Sequence, residues 1–294
     1  MELQALFQET IQDIQELHPG YEDHASDVWL VKTESEEVVV RSSRMSEEPT
    51  NEFWWGCNKL FGIDPRHGFG LEHVNNTLCT LTSIPIPKVL RKGFISSRQF
   101  VVVEKLPGTV IHSFTNQSAH VLYETGKGLA HIHQFQTNYI GSPSGNFRIP
   151  LENFNQHLVD GMTDVVNKFY KTDWAIESKL AEMIELFKAI PTPQAATFVL
   201  VDMDPSQFLS CGTHLTGLVD TEAFVLAPRE LDFVGLEYML DANTVKDFRK
   251  GYETVMDIPD VSTCRLPYRY LYRLLSVQGS VPIDTWLQQE KLFL

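Results

Sequence analysis

Apolar residues recur every three or four positions at the start of the chain, where Leu3, Leu6, Phe7, Ile11, Ile14 and Leu17 would share one helical face. That spacing predicts an amphipathic helix over 3–17, stopped at His18, Pro19 and Gly20. The pattern then changes. Segments 26–31 and 37–41 are rich in β-branched residues and flank a polar stretch, so they read as a hairpin. A loop or short helix carrying Trp54 and Trp55 fills 45–69, and 70–81 returns to helical periodicity before Pro85 and Pro87 forbid its continuation. Further strands are expected over 87–90 and 99–104. Beyond Pro107 and Gly108 long helical patterns dominate at 118–135, 151–170 and 174–190, with short strands at 198–201 and 215–219. A β-rich first third joined to a helix-rich remainder is an α+β layout. It predicts two lobes, residues 1–105 and 106–294, with a hinge near residue 106.

Composition narrows the partners. The chain has 294 residues and a formal net charge of −14, with no basic stripe, which disfavours a nucleic-acid backbone as ligand. No apolar run is long enough to span a membrane, so no membrane partner is expected. Four scattered cysteines and an acidic N-terminal segment without a basic leader suit a reducing cytoplasm.

The candidate chemistry lies between 198 and 222. An apolar strand delivers Asp202 into a polar turn with Asp204, Pro205 and Gln207, and a second apolar strand delivers Asp220, followed by Glu222. Phosphoryl transfer needs such a set: a carboxylate to orient or deprotonate a hydroxyl, and oxygen ligands for the magnesium that bridges the phosphates. His131 and His133, two apart on a helix, face different directions and do not read as a metal pair. Phe53, Trp54 and Trp55 read as core rather than as a stacking platform. Tyr268, Arg269, Tyr270, Tyr272 and Arg273 read as a half-buried helix with its arginines reaching to solvent.

In order and spacing, these residues resemble the aminoglycoside phosphotransferase and choline kinase superfamily, which has a protein-kinase-like fold. Its catalytic stretch runs roughly His-Gly-Asp-x-x-x-x-Asn and its metal stretch apolar-Asp-x-Gly/Glu. Asp202 falls on the catalytic aspartate, Gln207 on the asparagine and Asp220 on the metal-binding aspartate. Glu72 resembles the ion-pairing helix glutamate, Glu104 to Leu106 the adenine-binding hinge, 128–133 the Leu-Ala-x-Leu-His helix, and Asp232 the aspartate that braces the catalytic loop. Arg41 stands where the family has a phosphate-binding lysine.

The resemblance implies an ATP- or GTP- and magnesium-dependent O-phosphotransferase acting on a small polar molecule, such as an amine-bearing aminoglycoside. Asp202 would accept the hydroxyl proton. Asp220 and Gln207, helped by Asp204 or Glu222, would hold magnesium, and Arg41, oriented by Glu72, would steady the phosphates. Glu152, Asp160 and Asp164 would attract an amine on the acceptor. Four departures fall on working parts: a glycine-free loop over 21–27, Arg41, Leu200 with Val201 in place of His-Gly, and Gln207. They sustain an alternative, a catalytically impaired kinase-like binding or regulatory protein. A third reading is that the match is architectural only.

Overall fold

The computed structural model describes residues 2–17 and 25–293. Its first lobe is built on an antiparallel sheet of β1 (Asp13–Glu16), β2 (Ser26–Lys32), β3 (Glu37–Ser43), β4 (Val89–Ile95) and β5 (Arg98–Glu104), in the order β1-β2-β3-β5-β4. Both faces of the sheet are covered, which explains the unbroken apolar run of β5. Phe100 and Val102 pack with Val38, Val40, Leu3 and Phe7 on one face. Val101 and Val103 pack with Leu71 on the other.

The predicted N-terminal helix does not form. A 3₁₀ turn spans Glu2–Leu6, and the chain then extends into β1, which pairs with β2 in the register Ile14↔Val31. The Gln4 side chain donates to Glu9 O at 2.8 Å and accepts from Ile11 N at 3.0 Å, taking backbone groups a helix would have bonded internally. The open edge of β2 absorbs the rest.

Between β3 and β4 lie α1 (Glu52–Phe61) and α2 (Leu71–Leu81). Asn51 caps α1 through its side chain, accepting from Trp54 N at 2.9 Å. Trp54 is buried against Phe53, and Trp55 packs edge-on to Phe169 at 5.6 Å, so these aromatics are structural.

After β5 the chain passes Leu106, Pro107 and Gly108 into the helical lobe. Its elements in order are β6 (Thr109–Val110), α3 (Ala119–His133), β7 (Tyr139–Gly141), β8 (Arg148–Pro150) and α4 (Phe154–Val165). Next come α5 (Trp174–Glu177), α6 (Leu180–Ala189), β9 (Thr197–Leu200), β10 (Phe208–Ser210), β11 (Leu215–Leu218) and β12 (Phe224–Ala227). The lobe ends with α7 (Glu230–Leu236), α8 (Thr244–Tyr252), α9 (Arg265–Leu274) and α10 (Ile283–Leu287). The short strands form two sheets, β11-β10-β6 and β8-β7-β12-β9. A mixed α+β protein with a sheet-rich first part and a helical second part is therefore observed, as the pattern predicts.

The arginines of α9 correct the sequence reading. Arg269 is only 1% exposed, and Arg265 and Arg273 are buried as well. Glu237, just past α7, is fully buried and meets Arg265 Nε at 3.1 Å and Arg269 Nη2 at 2.6 Å. An internal carboxylate draws the guanidinium groups inward instead of letting them reach water. Arg269 also donates to the carbonyls of Leu287, Gln289 and Glu290, and Glu237 accepts from Leu292 N and Phe293 N. This knot fastens residues 287–293 to α7 and α9.

Helices α3 and α8 cross with backbones touching, and glycine permits it. A Cβ at Gly251 would lie 1.9 Å from Tyr123 O, and one at Gly126 would lie 2.1 Å from Phe248 O. Gly251→Ala is expected to destabilise the fold by about 1–3 kcal/mol through overpacking, outweighing the gain of up to ~1 kcal/mol in helix propensity. Urea unfolding would measure it, and equal or greater stability in the variant would refute the contact.

Candidate active site between the lobes

Strand register gathers the acidic residues at one end of the helical lobe. Leu200 pairs with Phe224, so Asp202, two residues beyond β9, and Glu222, two before β12, leave the same end of that sheet. Phe208 pairs with Leu218, which carries Gln207 and Asp220 to the same end. A main-chain bond from Val219 N to Gln207 O, 2.7 Å, closes the junction.

The turn after β9 is locked by its own side chains. Asp204 caps the short turn Pro205–Gln207, accepting from Ser206 N at 2.8 Å. Gln207 returns the bond: its Oε1 accepts from Asp204 N at 3.0 Å, and its Nε2 donates to Asp202 O at 2.6 Å. Both ends of the Gln207 amide thus clamp the loop, leaving one lone pair of Oε1 for a cation. Beneath the turn, Asp232 accepts from Leu200 N at 3.0 Å, bracing the strand where the family histidine is missing. His133 Nε2 lies 2.9 Å from the other Asp232 oxygen, and its Nδ1 lies 2.9 Å from the Tyr252 hydroxyl, which also accepts from Arg229 at 3.0 Å. This chain is buried and points away from any metal role for His133. His131 lies beside Gln134 instead.

Among the described residues, the first lobe contributes the cation Arg41. Arg41 shares a face of β3 with Val39, away from the Val38–Val40 core. Its Nη2 reaches both Asp220 Oδ1 and Glu222 Oε1 at 2.5 Å. The expected partnership of Arg41 with Glu72 is not formed. Glu72, in the first turn of α2, turns outward and pairs with Lys92. One turn along, Asn75 occupies the face toward the turn after β11: its amide nitrogen donates to Pro87 O at 2.8 Å and its oxygen accepts from the Thr221 hydroxyl. Asn75 and Thr221 thus hold the Asp220 turn, where Asp220 itself adopts the left-handed conformation at φ 58°. Ser26 donates to Glu222 at 3.0 Å. Sequence reasoning missed Asn75, Thr221 and Ser26; the one-turn offset of Asn75 from Glu72 was the available signal.

Burial pushes the Asp202 carboxyl well above the ordinary carboxylate range, and the charges of Asp220, Asp204 and Glu222 push it further. Burial also raises Glu222, against the pull of Arg41. For Arg41, burial favours loss of the proton, yet Asp220 and Glu222 outweigh it and hold the guanidinium charged. Arg41 Nε is buried with no hydrogen-bond partner among the described residues.

The remaining predicted residues are placed as follows. Glu104 N donates to Lys88 O at 2.9 Å, at the end of β5, and the Leu106 side chain lies against Gly217 of β11. Residues 21–24 of the glycine-free loop lie outside the described residues. Asp164 pairs with Lys59 at 3.0 Å, Asp160 accepts from Gln156 at 2.8 Å through one oxygen, and Glu152 is exposed. A cleft of about 590 Å³ opens between α1, α2 and the β7–β8 turn, lined by Asn58, His67, Leu71, Val74 and Glu222. It borders Glu222 but neither Asp202 nor Asp220, so the reacting hydroxyl is not assigned to it.

A sequence model of the phosphotransferase enzyme family (APH) matches residues 71–261. The chain belongs to that phosphotransferase family. No curated protein matches it. Its fold is that of solved small-molecule phosphotransferases. A spectinomycin phosphotransferase, solved with ADP and spectinomycin, superposes with a TM-score of 0.63 at 13% identity, covering 94% of this chain and 84% of that one. An aminoglycoside phosphotransferase in ternary complex with AMP-PNP and hygromycin B gives 0.62 at 14% identity, covering 97% and 93%. The macrolide 2′-phosphotransferase of Brachybacterium faecium gives 0.59 at 10% identity, covering 98% of each chain.

Proposed function

We propose that this chain transfers the γ-phosphoryl group of ATP or GTP to a hydroxyl of a small polar molecule. The observation that carries the reading is the convergence of Asp202, Asp204, Asp220 and Glu222 on one end of the helical lobe, with Arg41 of the other lobe among them. Phosphoryl transfer relies on positioning and electrostatics, and this arrangement supplies both. Asp202 orients the acceptor hydroxyl and takes its proton as the new P–O bond forms and the β–γ bridge breaks. Arg41, whose buried Nε lacks an acceptor among the described residues, meets phosphate oxygens. The backbone at Glu104 to Leu106 receives the base. Gln207 and Asp204 keep the Asp202 turn in shape.

The donor set fits magnesium: hard carboxylate oxygens crowd together with Arg41 as counter-charge. Asp220 and Glu222 would hold it, with Asp204 and the spare lone pair of Gln207 beside them. Bound magnesium supplies charge neutralisation to the phosphates. Nucleotide use is supported by relatives solved with ADP, AMP-PNP and GDP.

One observation favours the second reading, a non-catalytic binding or regulatory protein: Arg41 already bonds the two carboxylates that would take the metal. Thermal unfolding with and without magnesium-ATP tests the nucleotide site that the first reading requires. Saturation a hundredfold above Kd adds about 2.7 kcal/mol, a rise of several degrees in a chain of this size. Asp220→Ala is expected to abolish that rise. No rise in the parent protein would reject nucleotide binding, and a rise that survives Asp220→Ala would reject the metal assignment. ADP release in the presence of amino sugars, amino alcohols or nucleosides then separates an enzyme from a scaffold.

A further inference from the structure

A second cluster of donor atoms lies on the helical lobe, on elements that carry none of the phosphoryl-transfer residues' side chains. His120 and Glu124 stand four residues apart in the first turns of α3, so both side chains leave the same helix face. The turn between β10 and β11 brings His214 against them. His120 Nε2 lies 3.1 Å from His214 Nδ1 and 3.2 Å from Glu124 Oε1, and His214 Nδ1 lies 3.3 Å from that same oxygen. The three atoms form a nearly equilateral triangle.

Protons cannot join all three edges well. With both facing nitrogens protonated, their N–H groups oppose each other. With one protonated, the other nitrogen turns a lone pair toward the carboxylate oxygen. A cation at the centre satisfies every donor at once. Tetrahedral zinc, bonded at 2.0–2.1 Å, sets its ligands about 3.3 Å apart, which is the spacing seen here. Two imidazoles and one carboxylate suit zinc, whereas calcium and magnesium prefer oxygen alone.

We propose that His120, Glu124 and His214 form a zinc site with its fourth position open to solvent. The outer partner is present too: the second Glu124 oxygen accepts from Leu215 N at 2.7 Å, which fixes the carboxylate's orientation. The two imidazole rings lie at 88° to each other with centroids 4.7 Å apart, which brings His120 Nε2 and His214 Nδ1 face to face without stacking the rings. The ion would staple the β10–β11 turn to α3. The feet of that hairpin lead to Gln207 and Asp220, so the staple steadies the hairpin on which the phosphoryl-transfer residues rest.

The test is titration of the chelator-treated full chain with zinc chloride, without nucleotide, followed by calorimetry. One equivalent is expected to bind. His120→Asn, His214→Asn and Glu124→Gln should each weaken binding about tenfold or more. These side chains are partly or largely exposed, so the variants should keep the parent's unfolding temperature in the absence of zinc. Cys211, the exposed thiol of the same turn, serves as control: Cys211→Ser should change the affinity by less than about twofold. Cobalt substitution should give four-coordinate visible bands without a thiolate charge-transfer band. No binding at micromolar free zinc would overturn the proposal. So would binding that survives both histidine variants, or that vanishes only with Cys211→Ser.

Discussion

Asp202→Asn is expected to lower kcat for acceptor-dependent phosphoryl transfer by about 10²–10⁴-fold while leaving the magnesium-ATP thermal shift in place. The substitution keeps the shape of the side chain and removes its basicity. Asp202 sits at the end of a fully buried strand, and its main-chain oxygen is held by Gln207, so the loop should survive the change. The pH profile supplies a second reading of the same group. Burial and three acidic neighbours keep a proton on Asp202 at pH values where an ordinary carboxylate has lost it. The parent's kcat/KM should therefore fall on acidification from a pH above the usual carboxylate range, and the residual activity of the variant should lack that limb. Activity within threefold of the parent, measured as ADP release with whichever hydroxyl acceptor responds, would remove Asp202 from the chemistry.

The largest stability effect is expected at Glu237. Glu237→Gln leaves Arg265 and Arg269 charged in the interior without their shared carboxylate, and breaking a buried pair in this way costs about 3–5 kcal/mol. An amide at that place also turns an N–H toward one guanidinium or toward the amides of Leu292 and Phe293. A fall in Tm on the order of 10 °C should follow for a chain of this size. A change under ~1 kcal/mol in denaturant unfolding would mean that the knot is worth little.

The parts of this molecule legible in the sequence are those where local pattern and tertiary need agree. The run of β-branched residues at 99–104 is a strand covered on both faces, and Asp202 and Asp220 sit just past apolar strands, where their polar turns were evident. What remained hidden depends on partners distant in the chain. Residues 3–17 carry a helical spacing, yet the free edge of β2 and the Gln4 side chain outcompete it. The pairing of Arg41 with Glu72 followed from resemblance, and a single helical turn defeats it: Asn75 faces the Asp220 turn and Glu72 faces Lys92. Arg265, Arg269 and Arg273 recur every four residues, a readable stripe, but the first two are turned inward by the buried Glu237 and the third by the carbonyl of Val281, both distant from any local pattern. His120 and His214 are separated by 94 positions, a distance that no local motif bridges.

The stitch from Asn75 to Thr221 carries a mechanical consequence. Through it, and through the bond from Leu218 N to Pro85 O at 2.9 Å, the Asp220 turn is tied to α2 and the proline segment of the sheet-rich lobe. Asp202 is anchored by Asp232 within the helical lobe. Val219 N bonds to Gln207 O and Gln207 Nε2 to Asp202 O, so the two turns are joined to each other and any displacement of α2 is passed to both aspartates together.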